Sequence, residues 1–137
     1  MDAVGRLVVF FETFTPARVQ EMGDYYAADA FFKDPFNEVR RLTEIQAIFA
    51  RMFEQVEAPR FRVLSRVFDG REGFLIWDLE FRFRGGKAGR IHGVSHLKLG
   101  ADGRVTYHRD YWDTAEELYE KIPLLGGFMR WLKHRVG

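Results

Sequence analysis

The spacing of hydrophobic residues changes once along this chain, near residue 58. Before that point they recur every three or four positions, which is the spacing of helices with one buried face. The pattern predicts a first helix ended by Thr15-Pro16, a second from about Ala17 to Ala28, and a third from about 43 to 56 ended by Pro59. The first half of the chain is therefore expected to be mainly helical.

Beyond residue 59, apolar and polar residues alternate, as they do in strands with one buried face. The longest such run extends from Phe74 to Arg84, and Asp102-Gly103 joins runs from Val94 to Leu99 and from Val105 to Trp112 into a hairpin. An earlier strand-like run, Ala30 to Asp34, lies between the second and third helices. Helices followed by a strand meander predict an α+β fold, with a curved antiparallel sheet wrapped around three helices from the N-terminal half.

Residues 1–113 are expected to form a single domain, because a chain of 137 residues is long enough for one hydrophobic core. Residues 114–137 are predicted to form a helical tail packed on that domain. The tail combines Phe128, Met129, Trp131 and Leu132 with basic residues. Such an amphipathic helix can also lie on an anionic membrane, cover a pocket mouth or clasp a partner subunit, although packing on the domain is the ordinary explanation.

The charge and cysteine content argue against several classes of function. Lys and Arg number 21 against 20 Asp and Glu, so no strong field would attract nucleic acid. The chain has no cysteine, which rules out disulfides, a thiol nucleophile and cysteine-bound zinc, and its 4 dispersed histidines do not predict a metal site. The N-terminus lacks a basic region and a cleavage site, and no apolar run reaches about 18 residues, so a cytoplasmic location is expected.

Aromatic residues make up 16% of the chain, including 14 Phe. This is more than a minimal core requires, and it favours an aromatic-lined pocket for a small apolar ligand or a sizeable partner surface. Rings that simply fill the core are an equally good explanation.

Two carboxylates are the leading candidates for chemistry. Alternation along the last strand places His108, Asp110 and Trp112 on one face, and Asp34 ends the earlier strand before Pro35. If both acids open into one cavity, the site can act as acid and base. The alternatives are a turn-capping role for Asp34 and an ion pair between Asp110 and an Arg on a neighbouring strand. His108 would either relay a proton or simply hydrogen-bond Asp110.

Several other residues have more than one interpretation. Trp77 belongs either to the core or to a pocket wall, and Asn37 either orients a ligand or closes the turn that precedes it. His92 and His96 share the face opposite to Ser95. The resemblance described below implies that this face lies outside the pocket, which favours a sheet surface or a dimer contact over a metal site.

The helix pair, the Phe31-Phe32-Lys33-Asp34-Pro35 strand end, the third helix and the closing hairpin together resemble the nuclear transport factor 2-like superfamily, in particular its ketosteroid isomerase and SnoaL-like polyketide cyclase branches. The resemblance covers nearly the whole chain before the tail. It implies a cone in which a strongly bent sheet and three helices enclose an apolar pocket, often in a homodimer.

The resemblance to ketosteroid isomerases implies that Asp34, followed by Pro35, is a general base. In those enzymes a Tyr on the first helix and a protonated Asp on a central strand donate hydrogen bonds to the enolate oxygen. The corresponding positions here are Phe10, which cannot donate, and Ser95, which is a weaker donor.

The last strand resembles two other groups of enzymes. Arg109-Asp110-Tyr111 is similar to the closing strand of limonene-epoxide hydrolases, where Asp110 matches the last acid of a water-activating Asp-Arg-Asp group. The set of His108, Asp110 and Trp112 is closer to SnoaL-like cyclases, in which an inward Asp works with His and aromatic neighbours.

Together the residues and the resemblance predict a pocket protein that is an isomerase, cyclase or hydrolase without a cofactor. The catalytic candidates are Asp34, Asp110 and His108. The ligand-binding candidates are Phe10, Phe14, Asn37, Trp77, Ser95 and Trp112. Two other classes stay open, a non-catalytic carrier of a hydrophobic ligand and a protein-interaction subunit that uses the outer sheet face. The expected partners are a small apolar ligand and a second copy of the chain, without nucleic acid.

Overall fold

A computed structural model of the chain describes residues 1–113. The predicted helical tail, 114–137, and its packing on the domain, on a membrane or on a partner lie outside the described residues. Helix α1 covers Ala3–Glu12, a 3₁₀ helix covers Pro16–Asp24, and α2 covers Leu42–Gln55. Within residues 1–113, none of the helices is both long and apolar enough to cross a bilayer.

Six strands form one mixed sheet in this part of the chain: β1 Tyr26–Lys33, β2 Glu38–Val39, β3 Glu57–Asp69, β4 Glu72–Arg82, β5 Ala88–Leu99 and β6 Val105–Tyr111. Their order is β2-β1-β6-β5-β4-β3, and β1 runs parallel to β6 while the other neighbouring pairs are antiparallel. The sheet is curved and does not close into a barrel. The cone-shaped α+β fold predicted from the sequence is confirmed.

The inner face of the sheet carries the core. Alternation along β4 turns Leu75, Trp77, Leu79 and Phe81 inward, and each is at most 9% exposed. Helix α1 packs against β3, and α2 packs against β1 and β3. Burying one such side chain stabilises the fold by about 1.5–3 kcal/mol, so a slip of one residue in register would lose most of the core.

The second helix is shorter than the sequence predicted. It is a 3₁₀ helix that ends at Asp24, so the prediction of helix from Ala17 to Ala28 was wrong over its last turn. The chain enters β1 instead, where the Val105 N–H donates to the Tyr25 carbonyl over 2.8 Å and Tyr26 is 1% exposed. Strand pairing and burial of an aromatic ring outweigh the helical spacing of these residues.

The boundaries of two other elements also differ from the predictions. Helix α2 ends at Gln55, and Pro59, predicted to end it, lies inside β3. Strand β3 is at the edge of the sheet, where a residue without an N–H is tolerated. Strand β6 ends at Tyr111, one residue before the predicted end at Trp112.

Candidate functional site

A cavity of about 130 Å³ lies between the inner face of the sheet and α2. Its walls are mainly rings and aliphatic chains, among them Phe49, Trp77 and Trp112. The polar side chains that residues 1–113 contribute to its lining are Asp34, Asn37, Arg51, Gln55 and Asp110. The two candidate acids therefore reach one apolar cavity, together with the predicted ligand-binding residues Asn37, Trp77 and Trp112.

The parallel pairing of β1 with β6 brings the two acids side by side. Lys33 lies opposite Arg109 in this pair, and Asp34 and Asp110 are the next residues on their respective strands. Because parallel strands that are in register point the same way, residues one step further on stay neighbours and face the same side. An antiparallel arrangement of the same two strands would have placed the acids at opposite ends.

Asp34 forms a turn as well as lining the cavity. Its Oδ1 accepts hydrogen bonds from the backbone N–H of Phe36 over 2.8 Å and of Asn37 over 2.6 Å. The side-chain amide of Asn37 lies 3.1 Å from Oδ1 and 3.2 Å from Oδ2. The turn-capping interpretation of Asp34 is therefore confirmed, and the same bonds that close the turn fix the carboxylate at the cavity.

The carboxyl of Asp34 titrates in an unusual range. Burial raises its pKa from the usual 3.8 to about 6, and the negative charge of Asp110 acts in the same direction. The backbone N–H groups of Phe36 and Asn37 oppose this rise in pKa without cancelling it. A carboxyl with this pKa exchanges a proton readily near neutral pH.

Asp110 is held by a chain of hydrogen bonds across three strands. His108 Nε2 lies 2.6 Å from Asp110 Oδ1, and the Ser95 hydroxyl donates to the same oxygen over 2.5 Å. The Trp77 indole N–H in turn donates to Ser95 Oγ over 2.9 Å. Oδ2 of Asp110 makes no hydrogen bond to another residue of the described chain. One oxygen of the Asp110 carboxylate is thus anchored, and the side chain lines the cavity.

Tyr26 completes the chain behind His108. Its hydroxyl oxygen lies 2.6 Å from His108 Nδ1, and burial together with the charge of Asp110 raises the pKa of Tyr26 well above its usual value of 10.0. The phenol therefore stays neutral, and when the imidazole is neutral too it donates its O–H to Nδ1, which leaves Nε2 as the nitrogen that donates to Asp110. The contact between His108 and Asp110 expected from the sequence is present, with the ring orientation fixed from both sides.

Three predicted ligand-binding residues lie away from the lining of this cavity. Phe10 is fully buried and stacks on Tyr25 with ring centroids 4.2 Å apart. Phe14 packs against Phe53 at 5.3 Å and borders a separate groove. Phe10 faces the 3₁₀ helix, where Arg18 also lies over its ring, and Phe14 faces α2. Helical spacing predicts that such residues are buried but not which neighbour covers them. Ser95 lies behind Asp110, where it acts on the carboxylate.

The outer face of the sheet holds the other two histidines of this region. His92 Nδ1 lies 2.7 Å from Asp78 Oδ1, and His96 Nε2 lies 2.6 Å from Glu72 Oε2. Their placement opposite to Ser95 follows the alternation read from the sequence. Within residues 1–113, no three His, Asp or Glu side chains come together in a way that could hold a metal ion.

Sequence reasoning missed three residues of the site. Tyr26 was interpreted as part of a helix, so its contact with His108 was not expected. Arg51 and Gln55 line the cavity from α2 and are spaced four positions apart. The available signal was their position beside Ile48 and Met52 on a single helix face, which is otherwise apolar.

The chain matches a family model at residues 8–108, and that model describes a SnoaL-like domain. No curated protein sequence matches the chain. Solved structures with a similar fold include a hypothetical protein with a ketosteroid isomerase-like fold from Catenulispora acidiphila, in complex with trimethylamine. The two chains are 15% identical with a TM-score of 0.72, over 85% of this chain and 89% of the other.

Two further structures carry names of enzymes. One is designated a SnoaL-like polyketide cyclase, from Shewanella putrefaciens, at 20% identity and a TM-score of 0.70, covering 87% of this chain and 97% of the other. The other is the LEH-like epoxide hydrolase of M. tuberculosis, at 16% identity and a TM-score of 0.69, covering 95% and 92%. At these identities the likeness establishes the fold alone.

Proposed function

We propose, from the premise that this chain belongs to the SnoaL-like domain family, that its cavity binds a small apolar molecule and that Asp34 transfers a proton on it. The observation that carries this proposal is the Asp34 carboxyl, whose pKa is about 6 inside an apolar cavity that it shares with Asp110. The trimethylamine complex of the Catenulispora protein supports small-molecule binding in this fold.

The proposed step is removal of a proton from a carbon next to a carbonyl group. At pH 7 most Asp34 carboxyls with a pKa of about 6 are ionised and able to accept a proton. The C–H bond breaks, its proton moves to Asp34, and its electron pair moves onto the carbonyl oxygen as an enolate. In a β,γ-unsaturated ketone, return of the proton from Asp34 to the far carbon of the conjugated enolate isomerises the substrate. Where a second carbonyl is present, attack of the enolate carbon on it closes a ring, and Asp34 returns its proton to the resulting alkoxide. Neither route needs a cofactor.

Asp110 assists this step through its charge and its fixed position. Its negative charge raises the pKa of Asp34, which makes Asp34 a stronger base. The bonds from His108 and Ser95 hold Asp110 in place during the reaction. His108 therefore acts as a positioning residue for Asp110.

Exchange of carbon-bound hydrogen in D₂O tests the proposal without knowledge of the natural substrate. Small apolar ketones such as 2-indanone are incubated with the protein, and deuterium incorporation is followed by NMR. We expect exchange above the buffer rate, and a loss of about 100-fold or more in Asp34→Asn, since a general base contributes about 10²- to 10⁴-fold. Asp29→Asn, an exposed Asp of the same strand, is the matched control. Equal rates in Asp34→Asn and the wild type would refute the role of Asp34.

Hydrolysis of an epoxide is a second candidate reaction, favoured by the different environments of the two acids. Protonated Asp34 would give its proton to the epoxide oxygen as the C–O bond breaks. Asp110, through its free Oδ2, would take a proton from the attacking water, so that the product is a diol. Diol formation from styrene oxide that is lost in Asp110→Asn would favour this reaction over enolisation.

If ligands bind but neither reaction is seen, the protein is a carrier without catalysis. Ketones or epoxides would then raise the melting temperature of the wild type, Asp34→Asn and Asp110→Asn alike. A protein-interaction subunit is the outcome if no small molecule stabilises the protein and a partner copurifies with it.

We also propose that two copies pair through the outer face of the sheet. This face exposes Val67, Phe74 and Tyr111 at 61%, 41% and 46%, and Phe74 stacks on His96 at 4.8 Å. Exposed apolar groups on one side of a sheet are typical of an interface, and a two-fold axis through it would bury the same patch on both copies. Light scattering should give twice the chain mass, and Phe74→Arg should give a monomer. A monomeric wild type at high concentration would rule out the dimer.

A further inference from the structure

Most donors near Asp34 and Asp110 are already occupied by other protein groups. Ser95 donates to Asp110, the Trp77 indole donates to Ser95, and the Asn37 amide lies against Asp34. Phe10 lies outside the cavity lining. An enolate formed in the proposed reaction would therefore find one free donor on this wall of the cavity among residues 1–113, the uncharged indole N–H of Trp112.

The opposite wall carries two side chains whose donors are free. Arg51 and Gln55 both line the cavity, are partly buried, and lie one turn apart on the same side of α2. Neither forms a hydrogen bond, an ion pair or a ring contact with another residue of the described part of the chain. Arg51 is also the only cationic side chain that residues 1–113 contribute to this lining.

We propose that Arg51 and Gln55 bind the oxygen of a carbonyl substrate, and that Arg51 stabilises the enolate formed when Asp34 takes the proton. This inference rests on the proposed function and assigns its substrate class, an apolar ketone, ester or thioester. The substrate spans the cavity, with its oxygen on α2 and its acidic C–H toward the end of β1. A guanidinium suits this role because charge-assisted hydrogen bonds are roughly twice as strong as neutral ones and strengthen as charge develops on the oxygen.

The position of Arg51 also fits the charges around the cavity. Asp34 and Asp110 make one end negative, which would repel an enolate oxygen placed there. A cation across the cavity draws that oxygen away from the carboxylates and leaves the carbon that loses its proton near Asp34. The two walls therefore favour one orientation of the substrate.

Binding of 4-nitrophenolate at pH 8 tests this inference, because the phenolate is a planar apolar anion that resembles an enolate. Its neutral counterpart, 4-nitrotoluene, has a methyl group in place of the oxygen. Loss of a hydrogen bond to a charged group corresponds to about tenfold or more in affinity. We therefore expect Arg51→Met to bind 4-nitrophenolate at least about tenfold more weakly and 4-nitrotoluene as well as the wild type does. Gln55→Leu is expected to weaken phenolate binding less, since it removes a neutral donor.

Control variants separate this inference from the proposed function. Arg60→Met removes an exposed Arg of β3 and should leave both affinities unchanged. Asp34→Asn removes a negative charge from the cavity and should tighten phenolate binding several-fold. Circular dichroism establishes that each variant is folded, and Arg51→Lys, which keeps the charge, should retain part of the affinity.

Different outcomes would overturn the role of Arg51 as the anion site and the role of Asp34 as the base. Equal phenolate affinity in Arg51→Met and the wild type, or a wild type that binds 4-nitrotoluene but not the phenolate, would overturn the role of Arg51. A loss of phenolate affinity in Arg51→Met, beside equal D₂O exchange rates in Asp34→Asn and the wild type, would leave Arg51 as the anion site and overturn the role of Asp34 as the base. Failure of the wild type to bind either compound would overturn both.

Discussion

Replacing Asp34 with Asn should stabilise the protein above pH 6 while it removes the proposed base. The asparagine side-chain oxygen can still accept the backbone N–H groups of Phe36 and Asn37, so the turn is expected to persist. What disappears is a carboxylate held in an apolar cavity next to Asp110. The variant therefore separates stability from function, because it should be more stable than the wild type and should lack the proposed activity.

The size of the gain follows from the pKa of Asp34. Its value is about 6 in the folded protein against 3.8 for the ordinary carboxyl. One unit of pKa difference corresponds to about 1.36 kcal/mol, which limits the destabilisation by the ionised group to about 3 kcal/mol. Because the side chain keeps some solvent contact, we expect Asp34→Asn to raise the free energy of unfolding by between about 1 and 3 kcal/mol at pH 8.

The sign of the pH dependence is equally specific. Between pH 3.8 and about 6 the folded protein binds more protons at Asp34 than the unfolded chain does, so stability falls as the pH rises through this window. Below the window the carboxyl is neutral in both states, and above it the full penalty is present. Asp34→Asn lacks the carboxyl, so the decrease in stability that its ionisation causes is absent from this variant.

Urea denaturation at pH 4.5, 5.5, 6.5 and 8, a range of about 3.5 pH units across the expected titration, measures both quantities for the wild type and Asp34→Asn. Asp29→Asn, an exposed Asp on β1, should follow the wild type at each pH. Identical pH profiles for the wild type and Asp34→Asn would refute the claim that the cavity raises the pKa of Asp34.

Three further variants test the groups behind the cavity. Ser95→Ala removes the hydroxyl that donates to Asp110 and leaves the Trp77 N–H without its acceptor. We therefore expect urea denaturation to show a free energy of unfolding lower by about 1–3 kcal/mol. A decrease under about 0.3 kcal/mol would contradict the hydrogen bonds that Ser95 makes here. Tyr26→Phe removes the O–H that fixes His108 Nδ1, so the ring should show mixed tautomers in ¹⁵N NMR, whereas an unchanged Nε2–H tautomer would count against this contact. Gly93→Ala would place a methyl carbon 2.5 Å from Cη2 of Trp77. We expect the free energy of unfolding to fall by about 1–3 kcal/mol and the Trp fluorescence maximum to shift. Wild-type stability and emission would indicate that the ring has room to move.

The fold was predictable because hydrophobic period and turn residues carry most of its information. The alternation from Phe74 onward predicted β4 and its buried face, and Asp102-Gly103 predicted the β5–β6 hairpin. Element ends were less predictable. Tyr26 fits the helical spacing of the preceding residues, and only its pairing with β6, far along the chain, places it in a strand.

The two acids of the candidate site could be predicted from the sequence, but their meeting in one cavity and the residues of its other walls could not. Alternation placed His108 and Asp110 on one face, but their meeting with Asp34 depends on the parallel pairing of β1 and β6, which no local pattern encodes. Phe10 occupies the buried side of α1 as expected, yet its ring stacks on Tyr25 and does not line the cavity. Arg51 was overlooked because a partly polar helix face usually meets solvent.

Titration of the Asp34 carboxyl carbon by ¹³C NMR, with and without 4-nitrophenol, tests the central claim most directly. The assignment comes from the one signal that disappears in Asp34→Asn. The account predicts a midpoint of about 6 in the free protein and a higher midpoint with the phenolate bound, because a second anion in the cavity disfavours the ionised carboxyl. A midpoint near 3.8 that does not move when the phenolate is added would contradict it.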